Sequence, residues 1–123
     1  MKKILIIDDD KINQDILSKA FRQKNYQVFS VYNSLISFEK ITEHKPDLII
    51  LDILMPGMNG FQILEKMKKK SIIPKTPIIV LTALSEESNF KKSLALGADN
   101  CLLKTDYDPS QLVEIVTQRL KDK

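Results

Sequence analysis

Short apolar runs alternate about five times with stretches whose apolar residues recur at helical spacing, and that alternation admits few folds. A run such as Leu48-Ile49-Ile50-Leu51 has no polar face to offer water. It therefore belongs to a strand buried on both sides, as in a parallel sheet covered by helices. The spacing predicts strands near 3–8, 26–31, 47–52, 77–81 and 99–103. Between them, Ile12, Ile16, Leu17, Ala20 and Phe21 form one helical stripe and Leu112, Ile115, Val116 and Leu120 another, both read as core faces. Helix boundaries are marked locally. Asp108 precedes Pro109, Asn59 can cap a helix running through Met67, Ser85 stands before Glu86-Glu87, and Pro46 ends a helix near His44.

The expected architecture is a single (βα)5 doubly wound α/β domain over residues 1–123, flavodoxin-like, with parallel sheet order 2-1-3-4-5. At 123 residues, with 43% hydrophobic and 28% charged residues, the chain can bury one core without disulfides, and disorder is not expected. No apolar run approaches the roughly 20 residues that span a bilayer, and Met1-Lys2-Lys3 leads into a strand rather than a secretory signal. A cytoplasmic location is expected, and the single cysteine, Cys101, fits a reducing compartment as a small buried hydrophobe. A net charge of +3 gives no reason to expect direct nucleic-acid binding. Lys66, Lys68, Lys69 and Lys70 read as a solvated helix end, and the lone His44 as a surface loop residue.

In open sheets of this order, ligands bind where strands one and three diverge at their carboxyl ends. Strand one runs into Asp8-Asp9-Asp10 and strand three into Asp52, so three or four carboxylates converge on one crevice. Like-charge repulsion makes that unfavourable without a cation. Thr82 follows the fourth apolar run and Lys104 the fifth. Alone, Asp8-Asp9-Asp10, Thr82 and Lys104 each have a plain explanation, as an N-cap, a loop hydroxyl and a solvated lysine, whereas Asp52, an acid ending so apolar a strand, needs a partner. Together, on one sheet edge, they make a kit for phosphoryl transfer to a carboxylate, with Asp52 as nucleophile, Asp8 and Asp9 holding Mg²⁺ directly or through water, and Thr82 and Lys104 binding phosphoryl oxygens.

These residues, with Met55-Pro56-Gly57-Met58-Asn59-Gly60, Leu81-Thr82-Ala83 and Ala95-Leu96-Gly97-Ala98-Asp99, resemble a response regulator receiver domain across essentially the whole chain. The resemblance implies phosphotransfer to Asp52 from a sensor histidine kinase or phosphotransfer protein. It implies Mg²⁺ held by Asp9, Asp52 and the Leu54 carbonyl, with Asp8 acting through water. It also implies signalling through the face of helix four, strand five and helix five, and self-catalysed phosphorylation and dephosphorylation in place of turnover of an external substrate. The oligomeric state is left open by the sequence, a homodimer being one assembly it allows. Leu54 and Leu84 occupy positions that tune hydrolysis in the family, and neither can orient a water. Two positions depart from the family pattern: Thr105 follows Lys104 where proline is usual, and Cys101 stands where an aromatic is usual.

Other classes fit less well. A phosphatase with an aspartyl nucleophile, of the haloacid dehalogenase kind, would need a second Asp two residues after Asp52, where Leu54 stands. A flavodoxin would need a Gly/Ser/Thr-rich loop after strand one. A receiver-like docking module working without phosphate is the alternative kept, although it has no need of Asp8, Asp9, Asp52, Thr82 and Lys104 together.

Overall fold

A computed structural model describes all residues except Pro56, Met58, Pro74, Leu84, Asp122 and Lys123. Strands β1 (Lys3–Ile7), β2 (Gln27–Val31), β3 (Leu48–Leu51), β4 (Ile78–Thr82) and β5 (Asn100–Leu103) alternate with helices α1 (Lys11–Gln23), α2 (Ser37–His44), α3 (Gly60–Lys69), α4 (Glu87–Ala95) and α5 (Pro109–Lys121). All pairings are parallel, and the order is β2-β1-β3-β4-β5, as expected. Every residue of β3 and β4 is buried.

Period-two alternation divides the strand residues between two cores. Leu5, Ile7, Ile49, Leu51, Ile78 and Val80 pack with Ile41 of α2 and Ile63, Leu64 and Met67 of α3. Ile4, Ile6, Leu48, Ile50, Ile79 and Leu81 pack with Leu17 and Phe21 of α1 and Leu112, Val113 and Val116 of α5. Among the described residues, no helix is long and apolar enough to cross a membrane.

The α1 stripe is phased differently from the sequence expectation. Ile12 and Ile16 are 73% and 49% exposed, and the buried residues are Gln14, Leu17, Ser18 and Phe21. Apolar spacing gives a helix its period, but tertiary contacts choose its face, and here two polar side chains turn inward because the strand ends offer them partners. On α5, Leu112 and Val116 are buried as expected, Ile115 and Leu120 are half-buried, and Val113 joins the core.

The caps agree in part. Asn59 and Gln62 form a reciprocal capping box at α3. Asp108 accepts from the backbone N–H of Gln111 at the start of α5. Ser85 is not the cap of α4: Glu86 holds that position, without a side-chain bond to the helix backbone. The α2 helix ends at His44 with Lys45 in the left-handed conformation, φ 50°. His44 is the last helical residue rather than a loop residue, and its ring stacks on Phe29 at 3.8 Å. Of the lysines at the α3 end, Lys66 and Lys70 each lie 5.4 Å from the Phe38 ring, so the cations also cover an aromatic face.

Candidate functional site

Backbone bonds that continue past the strands lock the carboxyl end of β1 to that of β3 on one side and to that of β2 on the other. The Asp52 N–H donates to the Ile7 carbonyl at 2.9 Å, and the Asp8 N–H to the Val31 carbonyl at 3.0 Å. Parallel strands leave together, so both aspartates reach the same edge. They are 2% and 5% exposed, and Asp9 stands outside them in solvent.

Lys104 opens a short 3-10 turn, Lys104–Asp106, just after β5. From there it reaches across β4, and its Nζ donates to Asp8 Oδ2 at 3.1 Å and Asp52 Oδ2 at 3.2 Å. The other carboxylate oxygens are also engaged. Asp8 Oδ1 accepts from the Asp10 N–H at 3.0 Å, Asp8 Oδ2 also accepts from Asn13 Nδ2 at 2.7 Å, and Asp52 Oδ1 accepts from the Leu54 N–H at 3.0 Å. Thr82, the last residue of β4, is wholly buried. It lies on the strand between β3 and β5, so the topology sets it at the same edge as Asp52 and Lys104.

Asp8, Asp9 and Asp52 each present a carboxylate oxygen within 4.8 Å of the others. Three hard oxygen donors, two buried and one open to water, suit a divalent cation that keeps part of its hydration shell, as Mg²⁺ does. The Leu54 side chain is apolar and exposed, so only its backbone, whose N–H already donates to Asp52 Oδ1, can serve the site. Pro56 and Met58 of the following loop, and Leu84, lie outside the described residues. Grooves flank the crevice, one of about 350 Å³ beside Asp9 with Tyr32 and Leu35 in its wall, and one of about 220 Å³ between Asn13, Ile16, Lys104 and Tyr107.

The electrostatics follow from burial. Desolvation pushes the Asp52 carboxyl up to about 6 and the Asp8 charge adds to the rise, while the Leu54 N–H and the Lys104 ammonium oppose it. Desolvation works against the Lys104 charge, but Asp52 and Asp8 together outweigh it and hold the ammonium above its ordinary range. The Cys101 thiol is raised by burial, with a bond to Ser93 pulling the other way, so it is a poor thiolate nucleophile.

Asp52 gives a pH-dependence with a definite sign. Its ordinary value is 3.8, so between about 4 and 6 the metal-free native state holds a proton that the unfolded chain has lost. Stability attributable to this group falls as pH rises through that window. Discounted for solvent at the mouth of the crevice, the shift corresponds to roughly 2 kcal/mol at neutral pH. In urea unfolding with chelator present, Asp52→Asn is expected to match the parent below pH 4 and to exceed it by roughly 2 kcal/mol at pH 7. A gap that does not vary with pH would show that the Asp52 charge is not the strained element.

Sequence reasoning located Asp8, Asp9, Asp52, Thr82 and Lys104, and the structure brings all of them to one edge of the sheet. It missed Asn13 and Gln14, which hold Asp8 from α1. The available signal was the run Asn13-Gln14, polar residues opening a helix whose later turns are apolar on the same face.

The profile of the response regulator receiver domain matches residues 4–117. The phosphate regulon transcriptional regulatory protein PhoB of Pseudomonas aeruginosa is 34% identical over 112 residues, 91% of this chain and 48% of PhoB. The chain thus spans about half the length of that relative. A CheY-like response regulator receiver domain protein from Methanospirillum hungatei JF-1 superposes with a TM-score of 0.90 at 30% identity, covering 99% of this chain and 95% of that one. The receiver domain of the Francisella response regulator 1452 gives 0.90 at 26% identity, covering 99% and 98%.

Proposed function

The chain belongs to the response regulator receiver domain family, and from that premise we propose that Asp52 accepts a phosphoryl group from the phosphohistidine of a sensor histidine kinase or phosphotransfer protein. As the receiver domain of a two-component response regulator it is a signalling domain. The catalysis assigned to it is confined to its own phosphorylation and dephosphorylation. In the transfer, a lone pair of an Asp52 carboxylate oxygen forms the new P–O bond as the P–N bond breaks, and the bonding pair leaves with the imidazole.

This chain's residues supply positioning and charge. A carboxyl with a pKa of about 6 is mostly ionised at neutral pH, as the nucleophile must be. The Lys104 ammonium, 3.2 Å from Asp52 Oδ2, is near enough to follow the negative charge onto the phosphoryl oxygens. Thr82 offers a hydroxyl from the neighbouring strand. Mg²⁺, when bound, neutralises charge on the transferring group. Asp9, Asp52 and the Leu54 carbonyl are the residues that would hold it directly, with Asp8 acting through water. Output passes through α4, β5 and α5 to a downstream target or a second copy, in the cytoplasm and without direct nucleic-acid contact by this domain.

The observation that carries the reading is one ammonium shared by two buried carboxylates, with a third carboxylate in reach of both. A docking module that never took phosphate gains nothing from a cluster that raises the Asp52 pKa at the expense of stability. The expected result with Mg²⁺ and acetyl phosphate is a mass increase of one phosphoryl group, absent in Asp52→Asn and absent with chelator. An unmodified parent, or a variant that still gains the group, would return the docking module to first place.

A further inference from the structure

Gln14 is a fully buried side chain whose hydrogen bonding is one-sided. Its Nε2 lies 2.9 Å from the Ile6 carbonyl, 3.0 Å from the Asp8 carbonyl and 3.1 Å from the Val31 carbonyl. Its Oε1, also buried, has no hydrogen-bond partner among the described residues. Turning the amide over would set an oxygen against three carbonyls, so the nitrogen must face them. A residue kept to fill space there would be apolar, because an unsatisfied buried oxygen is costly. The side chain tolerates its orphaned oxygen in order to deliver two N–H groups to the ends of two strands and to the acidic loop.

The three carbonyls are not equivalent to the site. Ile6 stands just before the end of β1 and Val31 at the end of β2, while Asp8 is the first residue of the loop that carries Asp8, Asp9 and Asp10. The Val31 carbonyl also accepts the Asp8 N–H, so the Asp8 peptide unit is held on both sides, by Val31 through its nitrogen and by Gln14 through its oxygen. Gln14 is in turn fixed to the same loop, because its backbone N–H donates to the Asp10 carbonyl at 3.0 Å. The preceding residue, Asn13, holds the Asp8 carboxylate. Consecutive residues of α1 thus grip the side chain and the backbone of one aspartate.

We propose that Gln14 is a positioning residue, which fixes the Asp8-Asp9 loop by binding its backbone and so sets the two carboxylates for a divalent cation. This rests on the receiver reading given above. Gln14 touches neither cation nor phosphoryl group and acts only through Asp8 and its neighbours. Outer-shell partners of this kind typically change metal affinity by roughly 10–100-fold when removed.

The test is a Mg²⁺ titration followed by the backbone amide shifts of Asp8, Asp9 and Asp10 in parent, Gln14→Met and Val116→Ala. Methionine keeps length and volume but has no donor, and Val116→Ala is a core truncation that lowers stability from α5. The expected outcome is a Mg²⁺ dissociation constant raised at least roughly tenfold in folded Gln14→Met and unchanged in Val116→Ala. A constant in Gln14→Met within about threefold of the parent, whatever its melting temperature, would leave Gln14 a structural residue only and overturn the proposal. Should Gln14→Met not fold, the side-chain amide resonances of Gln14 in the parent decide. Saturation with the same constant as Asp9 supports the coupling, and no response refutes it. Parent loop amides that ignore Mg²⁺ would instead bring down the receiver reading itself, and this proposal with it.

Discussion

Gly60→Ala is expected to lower the thermal midpoint by roughly 10 °C, corresponding to about 2–4 kcal/mol, and to weaken Mg²⁺ binding at the same time. Gly60 is the first residue of α3, and its N–H donates to the Ile53 carbonyl at 3.1 Å. A Cβ there would fall within contact distance of the Cα and Cγ2 of Ile53 and 2.7 Å from its Cβ. Alanine at a helical position gains at most about 1 kcal/mol in propensity over glycine. The clash is with backbone, which has no rotamer to escape into, so overpacking wins. Ile53 lies between Asp52 and Leu54, hence relief of the clash must displace the segment that carries the nucleophile and the Leu54 carbonyl.

Gly97→Ala is the control. Its φ is 106°, and its Cβ would meet Ile73 Cγ2 at 2.7 Å, so it too should destabilise, but from the far end of α4. Loss of stability in both variants with loss of Mg²⁺ affinity in Gly60→Ala alone is the expected pattern. Equal Mg²⁺ affinity in the two would mean that the 52–60 segment does not transmit the displacement.

Most of the sheet was legible in the sequence because each strand is an apolar run closed by a charge or a turn residue. The expected limits lie within a residue of the observed ones at every strand. The order followed from the short right-handed crossovers that such runs require. The places of Asp8 and Asp52 were legible for the same reason, since a carboxylate that ends a buried run has its position dictated by the run. What stayed hidden depended on which side of a helix faces inward. The apolar pattern of α1 favours Ile12 and Ile16, yet Gln14 and Ser18 are buried in their place, Gln14 on the strand-end carbonyls and Ser18 against the Ser30 hydroxyl at 3.2 Å. Polar satisfaction at the ends of β1 and β2 outweighed hydrophobic periodicity, and the acceptors responsible are far apart in the chain. The cap of α4 failed differently: Ser85 is a good capping residue by type, but the helix starts one residue later than such a cap requires, at Glu87.

Lys104→Met is expected to cost the metal-free protein about 3 kcal/mol at neutral pH, because it strands two buried carboxylates without their cation. Asp8 and Asp52 are all but inaccessible, and Lys104 Nζ is the ammonium within 3.2 Å of both. Methionine preserves the length and most of the apolar stem, so the loss reports charge rather than packing. The penalty should shrink as pH falls below about 6, since Asp52, already raised with lysine present, gives up its charge more readily without it. Mg²⁺ should restore most of it: a cation at about 100 times its dissociation constant contributes about 2.7 kcal/mol, close to the deficit. The increment should also be larger in the variant than in the parent, because the ammonium and the divalent ion repel each other while competing for the same two carboxylates. Urea unfolding of both proteins at pH 5 and 7, with chelator and with saturating Mg²⁺, measures each of these differences. Equal Mg²⁺ increments in the two proteins would mean that the lysine and the metal act on separate carboxylates, and the shared cluster at the ends of β1 and β3 would have to be redrawn.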